Sequence, residues 1–245
     1  MNYDKNSPTT IRTLFNSIAP RYDIVNSILS FRLHLLCNRK LIQKALSREK
    51  TEHFLDLCSG TGEIALRASR LSIVQKRNSP TFYLVDFSQE MLTVAQKNVN
   101  QLPEPLQNQF NFTIADVTQL PFENSIFDVA TCAYGIRNVQ NPALCLSEAY
   151  RTLKPGGMLV ILELTRPRYP ILKQLHSCYL RCILPLVGRW MTHNAEAYQY
   201  LKKSIHDFVS PDALIEMAEG IGFEKISQEP LTGGIATLFC MHKKL

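Results

Sequence analysis

The chain has 245 residues, 45% of them hydrophobic, which is enough to bury one large core without a second domain. Its formal charge of +6 is modest, so the distribution of charge matters more than the sum, and its seven cysteines show no C-x-x-C spacing that would indicate a disulfide framework or a zinc site. Cys178 and Cys182 share a helical face, but two thiols make at most half a metal site, and core thiols are the expectation. The longest apolar run, near Cys182 to Val187, is far too short to span a bilayer, and Met1 to Thr10 contains no apolar signal core; a cytoplasmic protein is expected.

In chain order, residues 9–46 read as helical, with Tyr22-Asp-Ile-Val-Asn-Ser between two amphipathic stretches. The segment Phe54-Leu-Asp-Leu-Cys-Ser-Gly-Thr-Gly-Glu-Ile-Ala65 then combines a buried strand, a turn at Gly60 and Gly62, and a helix carrying Ile64, Ala65, Leu66, Ala68 and Leu71 at helical spacing. Glycines there allow positive φ and let a ligand approach the backbone at the opening of a helix. Gly60-x-Gly62-x-x-Ala65 also satisfies a dinucleotide pattern, and a glycine turn without a ligand is the bland alternative. Asp56 favours S-adenosylmethionine over a dinucleotide: a carboxylate four residues before Gly60 would repel a pyrophosphate, but suits a sulfonium and an amino group.

Strands are expected at 81–87, 111–117, 127–134 and 158–164, alternating with helices at 89–100 and 141–153, and Pro155-Gly156-Gly157 reads as the turn before the fifth strand. Segments 223–228 and 235–242 flank Leu231-Thr-Gly-Gly234 as a terminal hairpin. This pattern resembles the seven-stranded methyltransferase sheet with its reversed last strand. Residues 165–205 form an insertion in which Arg166 to Lys203 carries seven Lys or Arg against one Glu, interleaved with Tyr169, Leu172, Leu175, Tyr179, Leu180, Ile183, Leu184, Leu186 and Trp190. Such a segment suits a lipid-like substrate or an anionic membrane surface; a helical pair covering one edge of the core is the alternative.

In a doubly wound sheet the ligand lies beyond the carboxyl ends of the strands. Asp86, ending the second strand, can accept ribose hydroxyls; Asp116 and Val117, ending the third, can read and pack an adenine; Thr61 offers a hydroxyl and an amide. Each aspartate alone would also serve as a helix cap, Asp86 especially. After the fourth strand, Ala133-Tyr-Gly-Ile-Arg-Asn-Val139 places Arg137 and Asn138 at the cleft, where a guanidinium can stabilise a developing oxyanion and an amide can orient it. Alternatively Arg137 pairs with Asp116 or Asp86 and only braces the loop. His34 and His176 are further candidates for proton transfer.

On Phe15-Asn-Ser-Ile-Ala-Pro-Arg-Tyr-Asp-Ile-Val-Asn26, Phe127-Asp128 through Gly135-Ile-Arg-Asn-Val139, Tyr198-Gln-Tyr-Leu-Lys-Lys-Ser-Ile205 and Leu231-Thr-Gly-Gly-Ile235, the chain resembles the ubiquinone and menaquinone biosynthesis C-methyltransferase family over nearly its whole length. The resemblance implies a single α/β domain: a class I S-adenosylmethionine-dependent methyltransferase with a Rossmann-like seven-stranded sheet whose last strand is antiparallel. Its parts would be an N-terminal helical lid (9–46), a cofactor-binding core (53–164), a helical insertion (165–205) and a C-terminal helix and hairpin (206–245). It implies Thr61, Asp86, Asp116 and Val117 as cofactor contacts, the positions already chosen from the strand ends; with Asp56, Gly60 and Gly62 these make the expected cofactor set, while Arg137 and Asn138 are the expected catalytic residues and Tyr22, His34 and His176 are expected at the substrate. Arg32 and Cys37 stand where the family usually has glycine and tryptophan, and Ala133 where many members have serine.

The reaction expected is methyl transfer to a ring carbon of demethylmenaquinol, or alternatively of the ubiquinone-pathway benzoquinol, with no metal and no nucleic acid, at the inner face of a membrane. An RNA methyltransferase is disfavoured by the absence of an Asn-Pro-Pro-Tyr motif and by aliphatic residues lacing the basic segment. A binding module without catalysis is disfavoured by the intact strand-end set.

Overall fold

The computed structural model describes residues 8–48, 50–75, 80–167, 169–183 and 195–245. Seven strands form one sheet in the order β3-β2-β1-β4-β5-β7-β6: β1 (His53–Leu57), β2 (Thr81–Asp86), β3 (Phe110–Ile114), β4 (Phe127–Ala133), β5 (Leu153–Leu164), β6 (Phe223–Leu231) and β7 (Ala236–Lys243). β1 to β5 pair in parallel, and β7 runs antiparallel to both β5 and β6. Such central strands are buried on both faces, which explains why they read as nearly continuous apolar runs.

Alternation along β1 feeds two cores. Phe54 packs with α3 (Leu33–Ala45), α4 (Glu63–Val74) and α5 (Gln89–Val99) on one face; Leu55 and Leu57 pack with α7 (Pro142–Thr152) and α10 (Pro211–Ile221) on the other. The short α6 (Glu104–Gln107) precedes β3. A third, smaller cluster joins α1 (Pro8–Ile18), α2 (Tyr22–Leu29) and α9 (Ala195–Asp207) through Ile11, Leu14, Val25 and Tyr200. The insertion contributes α8 (Pro170–Cys178), which runs into a π turn at Tyr179–Ile183. Leu184, Leu186 and Trp190, expected to be part of the same apolar segment, lie outside the described residues.

Tyr22-Asp-Ile-Val-Asn-Ser is helical like the rest of this region, a 3-10 turn at Ala19–Arg21 with Pro20 near its start restarting the chain as α2. Three expectations need correction. β3 stops at Ile114 rather than reaching Val117, since Asp116 accepts from the Thr118 amide (2.8 Å) and hydroxyl (2.7 Å) and so turns the chain on itself. Pro155-Gly156-Gly157 lies inside β5 as a bulge: Leu153 pairs with Phe127 and Met158 with Val129, and Gly156 takes φ +72° to absorb the extra residues. Cys178 and Cys182 are exposed rather than part of the core, because α8 lies on the surface with no fully buried residue and the π turn after it leaves Cys182 outward.

The loop after β4 is braced by a buried ion pair. Glu163 on β5 is fully buried, and its carboxylate accepts from Arg137 Nη1 at 2.7 Å and from the Arg137 amide at 3.1 Å. Arg137 Nη1 also donates to the Tyr134 carbonyl, closing the loop. Breaking such a pair from one side leaves an uncompensated charge, so Glu163→Ala should cost about 3–5 kcal/mol of stability. In urea unfolding most of that loss should return when Arg137→Met is added; a loss below about 1 kcal/mol would show that water screens the pair.

Candidate active site

Residues at successive strand ends meet over the glycine turn. β1 places Asp56 beneath it, where one carboxylate oxygen accepts from Thr131 Oγ1 at 2.7 Å and the other, Oδ2, has no hydrogen-bond partner. Burial pushes the Asp56 carboxyl up to about 7, against the hydrogen bond from Thr131 and the nearby Ala65 amide. Asp86, at the end of β2, ties three elements together: it accepts from the Gly60 amide (2.9 Å) and from the Ser88 amide (2.9 Å). Burial raises its carboxyl to about 6 despite those donors. Ser88, not Asp86, is the cap of α5, accepting from the Met91 amide at 3.1 Å.

The N-terminal helices dock onto this turn by two further hydrogen bonds. Thr61 Oγ1 donates to Asp23 on α2 at 2.7 Å, and Ser88 Oγ donates to Asn16 on α1 at 2.7 Å. Asp23 was not anticipated from the sequence; its position beside Tyr22 inside an amphipathic helix gave no sign that it faces the glycine turn. Glu163 was missed too, although it carries the same signal as Asp56, a carboxylate within an apolar strand.

Two cavities open at the strand ends. The smaller, of about 150 Å³, is lined by Asp86, Asp116, Val117, Thr118 and Asn138; the larger, of about 410 Å³, is lined by Asp56, Thr61, His34, His176 and Arg137 together with apolar residues of α2, α3 and α8. Tyr22, Cys58, Gly60, Ala133 and Tyr134 line both, so the cavities share a wall at the ends of β1 and β4. Gly62 lines neither. It holds φ +78°, and a Cβ there would sit 3.0 Å from Leu84 and 3.2 Å from Ala95, so its role is close packing of α4 and α5.

Arg137 pairs with Glu163 rather than with Asp116 or Asp86, and its Nε has no hydrogen-bond partner while the side chain lines the larger cavity. Asn138 donates weakly to the Tyr134 carbonyl (3.3 Å) and accepts from Tyr200 on α9 (3.0 Å), which carries the helical layer down to the loop. Burial raises the Tyr22 phenol, with the Arg137 charge acting against it. His34 Nδ1 lies 2.6 Å from Ser30 Oγ and its Nε2 3.9 Å from Glu63; burial lowers the pKa of both His34 and His176, leaving neutral imidazoles able to accept a proton. Cys37 lines the larger cavity in the place of the family's usual tryptophan, whereas Arg32 lies outside it.

A parallel sheet with a reversed β7, a glycine turn after β1 and carboxylates past β2 and β3 define a class I methyltransferase fold. In keeping with this, the structure is similar to the N-methyltransferase NodS from Bradyrhizobium japonicum solved with S-adenosyl-L-homocysteine, with a TM-score of 0.57, 11% identity, and coverage of 86% of this chain and 87% of that one. The chain belongs to the ubiE/COQ5 methyltransferase family, whose model matches residues 3–243. It is 46% identical over 244 residues to a demethylmenaquinone methyltransferase from Protochlamydia amoebophila, covering 99% of this chain and 98% of that protein. It is 40% identical over 241 residues to a demethylmenaquinone methyltransferase from Chlamydia trachomatis serovar D, covering 98% and 99%.

The raised carboxyl at Asp56 makes stability depend on pH. Because the folded state holds this proton up to about pH 7 and the unfolded chain releases it near 4, the folded state binds more protons between those values, and stability from this group falls as pH rises through the window. His34 and His176, with lowered pKa values, act in the opposite sense between their folded values and about 6.5, so the comparison with Asp56→Asn isolates the carboxylate. Relative to the wild type, the ligand-free Asn variant should gain thermal midpoint as pH rises from about 4 to about 7 and level off above that; a pH-independent difference would place a normal carboxyl at Asp56.

Proposed function

We propose that this methyltransferase moves the methyl group of S-adenosylmethionine to a ring carbon of demethylmenaquinol. The observation that carries this reading is the shared wall: a small cavity edged by two strand-end carboxylates opens beside a larger one lined mainly by apolar side chains. The residues fit the cofactor. The unpartnered Asp56 Oδ2 suits a cationic amino group, the Asp86 carboxylate suits ribose hydroxyls, and Asp116 with Val117 suits an adenine edge and face. When bound, S-adenosylmethionine supplies an electrophilic methyl group.

The chain's own residues then have three tasks. Tyr22, Cys58, Ala133 and Tyr134 form the wall at which the ring and the methyl donor must meet, so alignment and exclusion of water fall to them. Arg137 favours the phenolate form of the ring hydroxyl ortho to the reacting carbon, which makes that carbon nucleophilic, while Tyr22 on the shared wall orients it; Asn138 lines the smaller cavity and serves the loop, through Tyr134 and Tyr200. His34 and His176 are neutral bases on the cavity wall, placed to take the hydroxyl proton or the ring proton whose departure restores aromaticity. The isoprenoid tail runs along Leu29, Leu172, Leu175 and Leu180. Among the described residues no helix is long and apolar enough to cross a membrane, and the enzyme takes its lipid-borne substrate from a peripheral position at the inner membrane face.

Support for the naphthoquinol ring comes from the relatives at 40–46% identity named for it. Purified protein given S-adenosylmethionine and either demethylmenaquinol or the benzoquinol precursor should yield, by mass spectrometry, a methylated naphthoquinol at least about tenfold faster than a methylated benzoquinol, the preference expected of a pocket shaped around one ring. Equal or inverted rates would overturn the substrate assignment.

A further inference from the structure

The larger cavity opens through side chains that are apolar and exposed at once. Phe31 is 72% exposed, Leu33 43% and Leu175 61%, yet all three line the cavity. Each continues outward into apolar side chains that do not line it. α2, with exposed Ile24 and Ile28 one turn apart, runs into Phe31; Leu36 follows Leu33 by one turn of α3; Ile171 precedes Leu175 by one turn of α8. The two segments meet: the rings of Phe31 and Tyr179 lie 6.5 Å apart, and the Tyr179 hydroxyl donates to the Leu29 carbonyl. A contiguous exposed apolar patch around a cavity mouth marks an interaction surface.

Charge identifies what it meets. Neither residues 24–48 nor residues 165–183 contain an Asp or Glu, while Arg32 stands at the tip between Phe31 and Leu33, and Arg166, Lys173 and Arg181 are exposed on the facing segment. Carboxylates bordering these segments are engaged, Asp23 with Thr61, Glu63 with Arg67 and Glu229 with Lys40. Phe31 and Arg32 both hold positive φ, at 48° and 61°, a conformation that bulky residues rarely adopt and that presents both at the turn.

We propose that the α2–α3 tip and α8 together form an interfacial docking surface for an anionic lipid bilayer, seating the cavity mouth on the membrane so that a prenylated ring enters without crossing water. The purpose assigned to this surface rests on the quinol reading; the docking itself does not, since it is read with vesicles that contain no quinol. Ile24, Leu36 and Ile171 immerse in the acyl boundary, and Arg32, Arg166 and Lys173 meet the headgroups.

The test is flotation of the full-length protein with phosphatidylcholine vesicles that contain or lack phosphatidylglycerol. Binding should require phosphatidylglycerol and weaken as salt is raised. The variant Ile24→Ser/Leu36→Ser/Ile171→Ser should lower the partition coefficient by about tenfold or more while leaving the thermal midpoint and S-adenosylmethionine affinity unchanged. Arg32→Glu alone should reduce partitioning and its salt dependence. The proposal is overturned if the wild type fails to float, if both variants float as the wild type does, or if sedimentation shows a dimer that the triple variant dissociates, which would make the patch a contact between copies. Failure of the wild type to methylate a quinol would instead overturn the substrate reading.

Discussion

The buried pair between Arg137 and Glu163 is the constraint on which the site depends. Glu163 reaches from the central strand β5 to both the guanidinium and the backbone amide of Arg137, and the same guanidinium holds the Tyr134 carbonyl. The loop so fixed supplies Ala133 and Tyr134 to the wall between the cavities, and Asn138, through Tyr200, anchors α9. A guanidinium already opposed by a carboxylate projects less field onto a substrate than a lone cation would. Its effect on a developing phenolate is therefore expected near about one to two powers of ten in rate, below what an isolated oxyanion donor contributes.

On the other side of the turn the carboxylates work without an opposing cation. Burial pushes Asp56 up to about 7 and Asp86 up to about 6, the Ser88 and Gly60 amides acting against it at Asp86. A folded protein tolerates this cost where a ligand later supplies the missing partner, and a cationic amino group beside Asp56 would do so. The N-terminal helices close over the same place through Asp23–Thr61 and Asn16–Ser88, and α2 also walls the larger cavity.

Much of this was legible in the sequence. Parallel strands buried on both faces leave apolar runs that the eye finds, and the register of Asp56, Asp86 and Asp116 at successive strand ends follows from the topology of a doubly wound sheet. The end of β3 was not legible, because it depends on which way the short Asp116 side chain turns. Nor was the partner of Arg137: pairing Glu163 with a residue 26 positions earlier requires knowing that β4 and β5 are neighbours. The exposure of α2 and the start of α3 was not legible either, since Ile24, Ile28 and Leu36 look in sequence like ordinary amphipathic positions and only the structure shows them exposed.

The most direct measurement of the central claim is single-turnover methyl transfer set beside S-adenosylmethionine affinity for Arg137→Lys and Glu163→Gln, variants that keep the volume of the buried pair. If the pair positions the wall and polarises the ring hydroxyl, methyl transfer should fall by about tenfold to a hundredfold in both while cofactor affinity changes by less than about threefold. Affinity collapsing together with transfer would make Arg137 a brace for the cofactor turn, and transfer at the wild-type rate would remove it from the chemistry.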